Sequence, residues 1–352
     1  MKIAIIGLPN CGKTTVFNAL TGGSAETATF SSGKLEPNLA TVKVPDERLP
    51  VLAEMYDPKK VTPAEVQYVD VGGFSGKRKS QEGLSPELLG FIGTADAFLH
   101  VVREFGDDSV PHPDETVNPA RDLEALDLEL MFSDLAIIER RLERLDKDVN
   151  KLTGKERDSA RKEKDLLERL QGVLEEEIPL RDTEISPDEM KSIKGYQLLS
   201  LKPVLVVINT GEDRIEGPVP GLSYDHRNSA ILPLSAKVEA ELALMEPEEA
   251  AEFLEDLGIN QPAREKVISE SYSLLGLISF LTVGKDEVRA WTIKSGTLAP
   301  QAGGTVHSDI ERGFIRAEVV PYQELVDAGS MPDAKKRGTV RLEGKNYVVK
   351  DG

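Results

Sequence analysis

The sequence predicts an α/β protein: a largely parallel sheet wound with helices, interrupted by an antiparallel helical hairpin and followed by a smaller β-rich tail. Three observations predict it. The first is a set of short apolar runs at 2–6, 65–69, 97–102, 204–208 and 230–234, most of them ending in Gly, Asp, Asn or Ser. Continuous apolarity of this length marks parallel strands covered on both faces. Helical stretches at 14–20 and 86–92 fall between them, giving the βαβ rhythm of a doubly wound sheet, whose ligands sit at the carboxyl ends of the strands.

The second observation is a seam. Leu128, Met131, Leu135, Ile138, Leu142, Leu145, Val149 and Leu152 alternate spacings of three and four residues. That is an a/d stripe of a helix packed on another helix. Thr153-Gly154 breaks it, Ala160, Leu167, Leu170 and Leu174 resume it, and Pro179 stops it. The many Glu, Lys and Arg residues between them form a solvated exterior. The expected insert occupies 120–195, as an arm that either packs only on itself or docks a partner. The third observation is the tail from 278, where 288–293, 314–320 and 339–342 read as strands separated by glycine-containing turns. The expected domains are therefore 1–277, interrupted by the insert, and 278–352.

Composition narrows the function. The chain has 352 residues, 39% of them apolar, enough for a proper core. With 43 Lys and Arg against 61 Asp and Glu, its formal charge is −18, which excludes non-specific coating of nucleic acid by phosphate neutralisation. Between 280 and 352, however, 11 basic residues face 10 acidic ones, including Lys335-Lys336-Arg337, so the tail is the better candidate for meeting RNA. One cysteine and four scattered histidines offer no disulfide and no zinc cluster. A reducing, cytoplasmic setting is expected. No apolar run reaches the roughly 20 residues of a membrane span, and the amino-terminal stretch lacks a signal pattern, so no membrane partner is expected.

Gly7-Leu8-Pro9-Asn10-Cys11-Gly12-Lys13-Thr14 fits G-x-x-x-x-G-K-[ST], after a strand and before a helix, the context a phosphate-binding loop requires. Gly7 and Gly12 let backbone N–H groups wrap around phosphate oxygens, with Asn10, Cys11 and Thr15 completing the loop. Lys13 reaches the β/γ-phosphates and is the first catalytic candidate; the Thr14 hydroxyl ligates Mg²⁺. Downstream, Val69-Asp70-Val71-Gly72-Gly73 gives D-x-x-G at a strand end, with Asp70 on the metal side and the Gly73 N–H sensing the γ-phosphate. Asn209-Thr210-Gly211-Glu212 and Ser235-Ala236-Lys237, each after a strand, resemble the base-binding loops of P-loop GTPases of the translation-factor class.

Two positions depart from an ordinary GTPase. Glu212 stands where an Asp accepts two hydrogen bonds from guanine, with Thr210 where a Lys lies along the base. The extra methylene displaces a contact worth about 1–3 kcal/mol, which relaxes guanine preference. Phe74 replaces a water-orienting Gln and cannot position water, so hydrolysis is slow unless another group supplies that role. His100, inside a strand, reads as a core residue. Cys11, near a helix N-terminus, reads as a small filler, with a lowered pKa and oxidation as the alternative. Trp291 reads as an anchor of a small core, with stacking on RNA as the alternative.

Taken in order, Gly7-Leu8-Pro9-Asn10 with Gly12-Lys13, Glu36-Pro37-Asn38, Val44-Pro45-Asp46-Glu47-Arg48, Asn209 with Glu212, Ser235-Ala236-Lys237 and Glu287-Val288-Arg289-Ala290-Trp291-Thr292 resemble the YchF/Obg-like ATPase family almost end to end. The resemblance implies a P-loop GTPase-type parallel-rich sheet with an inserted helical hairpin and a C-terminal β-grasp (TGS) domain. It implies a Mg²⁺-dependent factor that hydrolyses ATP, with GTP as an open alternative, and associates with ribosomes at the large subunit. The competing reading is a slow nucleotide-loaded switch whose hydrolysis only keeps time. By the same resemblance, His112, between Pro111 and Pro113, takes the place of a histidine that orients water, a surface-loop residue being the alternative. The family's switch Thr falls on Lys34, which cannot ligate Mg²⁺, leaving Ser31, Ser32, Thr41 or a water to replace it. The family also continues for a further strand beyond Lys350-Asp351-Gly352.

Overall fold

A computed structural model describes residues 1–23, 37–71, 85–148, 152–212, 214, 217, 219–259 and 261–352. In chain order the strands are β1 (Lys2–Ile6), β2 (Asn38–Lys43), β3 (Lys60–Thr62), β4 (Glu65–Asp70), β5 (Ala97–Arg103), β6 (Val204–Asn209), β7 (Ser229–Leu234), β8 (Leu277–Thr282), β9 (Glu287–Lys294), β10 (Ala317–Val319) and β11 (Arg341–Glu343). The α-helices up to the tail are α1 (Lys13–Thr21), α2 (Arg48–Tyr56), α3 (Pro86–Gly93), α4 (Pro119–Asp148), α5 (Gly154–Glu175), α6 (Pro187–Ile193), α7 (Ala236–Leu242), α8 (Pro247–Asp256) and α9 (Ala263–Leu274). The chain divides into two compact units, Met1–Ala40 with Gln67–Val267, and Thr41–Val66 with Ile268–Gly352.

The first unit is built on a six-stranded sheet of order β2-β4-β1-β5-β6-β7. From β4 to β7 every pairing is parallel. All of β5 and β6 is buried, as their unbroken apolar sequence requires; β7, at the sheet edge, is half-exposed except for Leu234. The chain leaves β1 for β4 on one side and later returns to β5 on the other. This places a topological switch point at the end of β1, the position where open α/β sheets bind their ligands. Register then gathers the polar residues: Ile5 lies beside Asp70, Arg103 beside Asn209, and Asn209 beside Leu234.

The hairpin is formed by α4 and α5. Met131, Ile138, Leu142 and Leu145 bury against Ala160, Leu167, Leu170 and Leu174, with Leu128, Leu135 and Leu152 partly buried at the margin. Val149 lies outside the described residues. Arg141 reaches Glu163 at 2.7 Å and Lys164 reaches Asp146 at 2.6 Å across the seam. Two buried polar clusters fasten its base. Asp134 accepts from Leu199 N, Ser200 N and Ser200 Oγ at 2.6–2.7 Å. Asp127 accepts from Arg181 at 2.7 Å and from the Tyr224 hydroxyl at 2.6 Å.

In the second unit, β3, β9 and β8 form a sheet, with β3 parallel and β8 antiparallel to β9; β10 and β11 form an antiparallel pair. Four helices follow β9: α10 (Ala299–Val306), α11 (Ser308–Gly313), α12 (Tyr322–Ala328) and α13 (Met331–Arg337). The expected strands at 314–320 and 339–342 shrink to Ala317–Val319 and Arg341–Glu343, and sequence reading missed these helices. Gly303 and Gly304 hide α10, because glycine disfavours helix interiors. Here they permit close contact with α11: a Cβ at Gly303 would lie 2.8 Å from Ile310 Cγ2. Trp291 is half-buried, donating to Thr282 Oγ1 at 2.9 Å, with the Arg289 guanidinium 3.9 Å from its ring centroid.

Candidate nucleotide site

The loop from Gly7 to Thr14 joins the end of β1 to the start of α1, and its backbone explains its glycines. Gly7 has φ +149° and Gly12 φ +93°, conformations that a side chain strains. A Cβ on Gly7 would stand 2.3 Å from Val101 O, and one on Gly12 2.3 Å from Asn209 Nδ2. Asn10 is left-handed at φ +61° and donates its amide to Pro111 O at 2.9 Å. The Lys13 ammonium is turned into the loop, donating to Gly7 O at 3.0 Å and Leu8 O at 2.8 Å. Thr15, on the first turn of α1, is half-exposed.

Thr14 and Asp70, 56 residues apart, meet at the sheet end, where Thr14 Oγ1 donates to Asp70 Oδ2 at 2.8 Å. Asp70 is buried, and its Oδ1 has no hydrogen-bond partner among the described residues. Burial pushes its carboxyl pKa up, opposed by the Thr14 hydroxyl and the Lys13 charge. A hydroxyl beside a carboxylate with an unmatched buried oxygen is a donor set of hard oxygens that fits Mg²⁺. Gly73, Phe74, Ser31, Ser32 and Lys34 lie outside the described residues; Thr41 is exposed in β2.

Asn209 ties the site together. Its buried amide donates through Nδ2 to Cys11 O at 3.0 Å and accepts through Oδ1 from Ala236 N at 3.0 Å. One side chain thus joins the phosphate loop to the loop at Ser235-Ala236. Thr210 and Ser235 are buried, and both hydroxyl oxygens lack hydrogen-bond partners among the described residues. Glu212 and Lys237 are exposed and form an ion pair at 2.5 Å, which raises the Lys237 pKa. Sequence reading did not single out Arg103 or Phe105. The Arg103 guanidinium donates to Phe105 O, Asp107 O and Val110 O and lies 4.4 Å from the Phe105 ring centroid. The Phe105 ring in turn lies 4.0 Å from where a Gly12 Cβ would stand. The only sequence signal for this arrangement is Arg103 at the end of an apolar strand.

His112 is placed differently from a free surface residue. Its side chain is only 3% exposed; Nδ1 accepts from Asp114 N at 3.1 Å and Nε2 faces Asp122 Oδ2 at 2.9 Å. That pattern puts the proton on Nε2 and uses both ring nitrogens to hold the chain entering α4. His100 is buried in β5, and desolvation pushes its pKa down to about 4, so it is neutral. Burial raises the Cys11 thiol pKa, which outweighs the nearby Lys13 charge and removes the basis for a reactive thiolate.

Two family models match the chain. One described as "50S ribosome-binding GTPase" matches residues 2–133, and the YchF-GTPase C-terminal model, described as "Protein of unknown function (DUF933)", matches residues 277–352. A "Ribosome-binding ATPase YchF" of Bacillus subtilis (strain 168) is 41% identical over 359 residues, covering all of this chain and 97% of the relative. The chain belongs to the YchF family. A plant relative, an "Obg-like ATPase 1" of Oryza sativa subsp. japonica, is 36% identical, covering all of this chain and 90% of the relative. Among solved structures, that of the "Schizosaccharomyces pombe YchF GTPase" matches with a TM-score of 0.84 at 32% identity, covering all of this chain and 96% of that one. The names of these relatives divide between ATPase and GTPase. The family carries a GTPase-type nucleotide domain and a C-terminal β-rich domain. Among the described residues no helix is long and apolar enough to cross a membrane.

Proposed function

We propose that this chain is a Mg²⁺-dependent P-loop ATPase with little or no guanine preference, acting on the ribosome in the cytoplasm. The observation that carries the proposal is Asn209, whose one amide holds the phosphate loop and the base loop in register, with Glu212 engaged by Lys237 beside it. A Glu212 carboxylate held by a lysine is a poor acceptor for the guanine N–H pair, which supports relaxed base choice. The named relatives support the ribosome as partner, and the description "50S ribosome-binding" supports the large subunit. Residues 1–277 would carry nucleotide, 120–195 the arm, and 278–352 the TGS-type module.

In this reading the amides of Gly7, Asn10, Cys11 and Gly12 cradle the phosphates and Lys13 neutralises the charge that develops in transfer. Thr14 and Asp70 would hold Mg²⁺, which supplies further charge neutralisation at the phosphates. Gly73 senses the γ-phosphate, Thr15 extends the loop, and Thr210, Ser235 and Ala236 border the base. The slow-switch reading is favoured by His112, because both its ring nitrogens are engaged; orienting water requires it to leave Asp122. Single-turnover hydrolysis with purified large subunits separates the two readings. A faculty for catalysis appears as a rate stimulated by ribosomes and lost in Lys13→Ala. An unstimulated slow rate, unchanged in His112→Ala, supports the timer.

A further inference from the structure

From residue 238 to 263 the chain contains eight acidic residues and not one Lys, Arg or His. Helix α8 lies in the middle of this stretch. Ala250, Phe253, Leu254 and Leu257 fall at i, i+3, i+4 and i+7, one apolar stripe, while Glu248, Glu249, Glu252, Glu255 and Asp256 cover the opposite face. An amphipathic helix normally buries such a stripe. Here the stripe is only partly covered: Ala250, Phe253 and Leu254 are half-buried, Leu257 is 41% exposed, and Leu244 just upstream is 88% exposed.

The carboxylates are not explained by the fold. Glu248 and Glu249 suit the first turn of a helix, but Glu252, Glu255 and Asp256 lie toward the carboxyl end, where the helix dipole disfavours negative charge and no basic residue offsets it. Among the described residues none of Glu246, Glu248, Glu249, Glu252, Glu255 and Asp256 forms an ion pair. Charge of this density, rimming a half-covered apolar stripe that ends in exposed Leu257, repels phosphate and anionic lipid and attracts a cationic surface.

We propose that α8, with Leu244, is a docking surface for a basic amphipathic segment of a partner protein. Apolar side chains of that segment cover Leu244, Leu257 and the exposed edges of Phe253 and Leu254, and its Lys or Arg residues meet the flanking carboxylates, the helix-in-groove mode with an acidic rim. This surface serves protein recognition and not RNA, and it stands independently of the nucleotide chemistry.

The test is a fluorescence-anisotropy titration of the full chain at physiological salt with a labelled 18-residue peptide of Leu and Lys patterned as an amphipathic helix. A scrambled isomer of the same composition is the control. The patterned peptide is expected to bind at least tenfold more tightly than its isomer. Glu252→Lys with Glu255→Lys, and separately Leu257→Ser with Leu244→Ser, should each weaken it at least tenfold while ATP affinity stays unchanged. Equal binding of both peptides, or undiminished binding by either variant, overturns the proposal. So does oligo(U) competing with the peptide, or self-association of the chain that is lost in the leucine variant. No ribosome or hydrolysis enters the assay, so its failure leaves the proposed function untouched.

Discussion

Removing the Asn209 side chain is the perturbation whose cost follows most directly from the geometry. Asn209→Ala deletes two hydrogen bonds of 3.0 Å and leaves Cys11 O and Ala236 N unpaired in a buried setting. Each buried group left without its partner costs about 1–3 kcal/mol, so the loss is about 2–4 kcal/mol after partial relaxation. If the loss falls on ordering the loops for nucleotide, ATP binds about 30- to 700-fold more weakly, at 1.4 kcal/mol per tenfold. Borne instead by the fold, it lowers the melting temperature by about 5–15 °C for a unit of this size. Calorimetric titration with Mg·ATP and a thermal melt on the same sample record both shares. Asn209→Asp is the discriminating companion. It preserves shape and the acceptor facing Ala236 N, but aims a second acceptor at Cys11 O, so it should lose at least as much affinity as the alanine variant. An aspartate variant that binds ATP normally would refute the staple and leave Asn209 as filler.

Three further outcomes follow from the same geometry. Asp70→Asn should weaken Mg²⁺-dependent ATP binding about tenfold or more, and in the unaltered protein metal affinity should fall as pH drops through the raised Asp70 pKa, since only the carboxylate holds the cation; a magnesium titration at several pH values reads both. Lys237→Ala frees the Glu212 carboxylate and should shift the GTP-to-ATP affinity ratio toward GTP by up to about fivefold, with little change in stability, because an exposed ion pair contributes under about 1 kcal/mol. Burial pushes the Asp134 carboxyl up to about 6, so the folded state holds its proton more tightly than the unfolded chain. Its contribution to stability is therefore greatest below about pH 4 and declines as pH rises to about 6, by about 3 kcal/mol at 1.36 kcal/mol per pKa unit. Urea melts of wild type and Asp134→Asn across that range should show a steeper loss of stability with rising pH in the former, the difference between the two reporting Asp134.

The parts legible in the sequence were those whose signal is local. Continuous apolar strands, the a/d seam of α4 and α5, and the loop from Gly7 to Thr14 each declare themselves within a few turns of chain. What stayed hidden depends on distant partners. The three residues of β3 pair with 287–289, which brings Thr41–Val66 into the unit that holds the tail, and nothing within 60–62 announces it. Likewise the helix α10 is masked by glycines whose reason is the approach of Ile310. The candidate site divides the same way. Motif spacing brought forward Lys13, Thr14, Asp70 and Asn209, whereas the engagement of His112 by Asp122 and the ion pair of Lys237 with Glu212 depend on loop paths that spacing does not encode.

Relaxed base choice is tested most directly by titrating the unaltered full chain calorimetrically with Mg·ATP and Mg·GTP in one buffer. ATP should bind as tightly as GTP or more tightly. Binding of GTP a hundredfold tighter than ATP would contradict the reading of Glu212, Lys237 and Asn209 together.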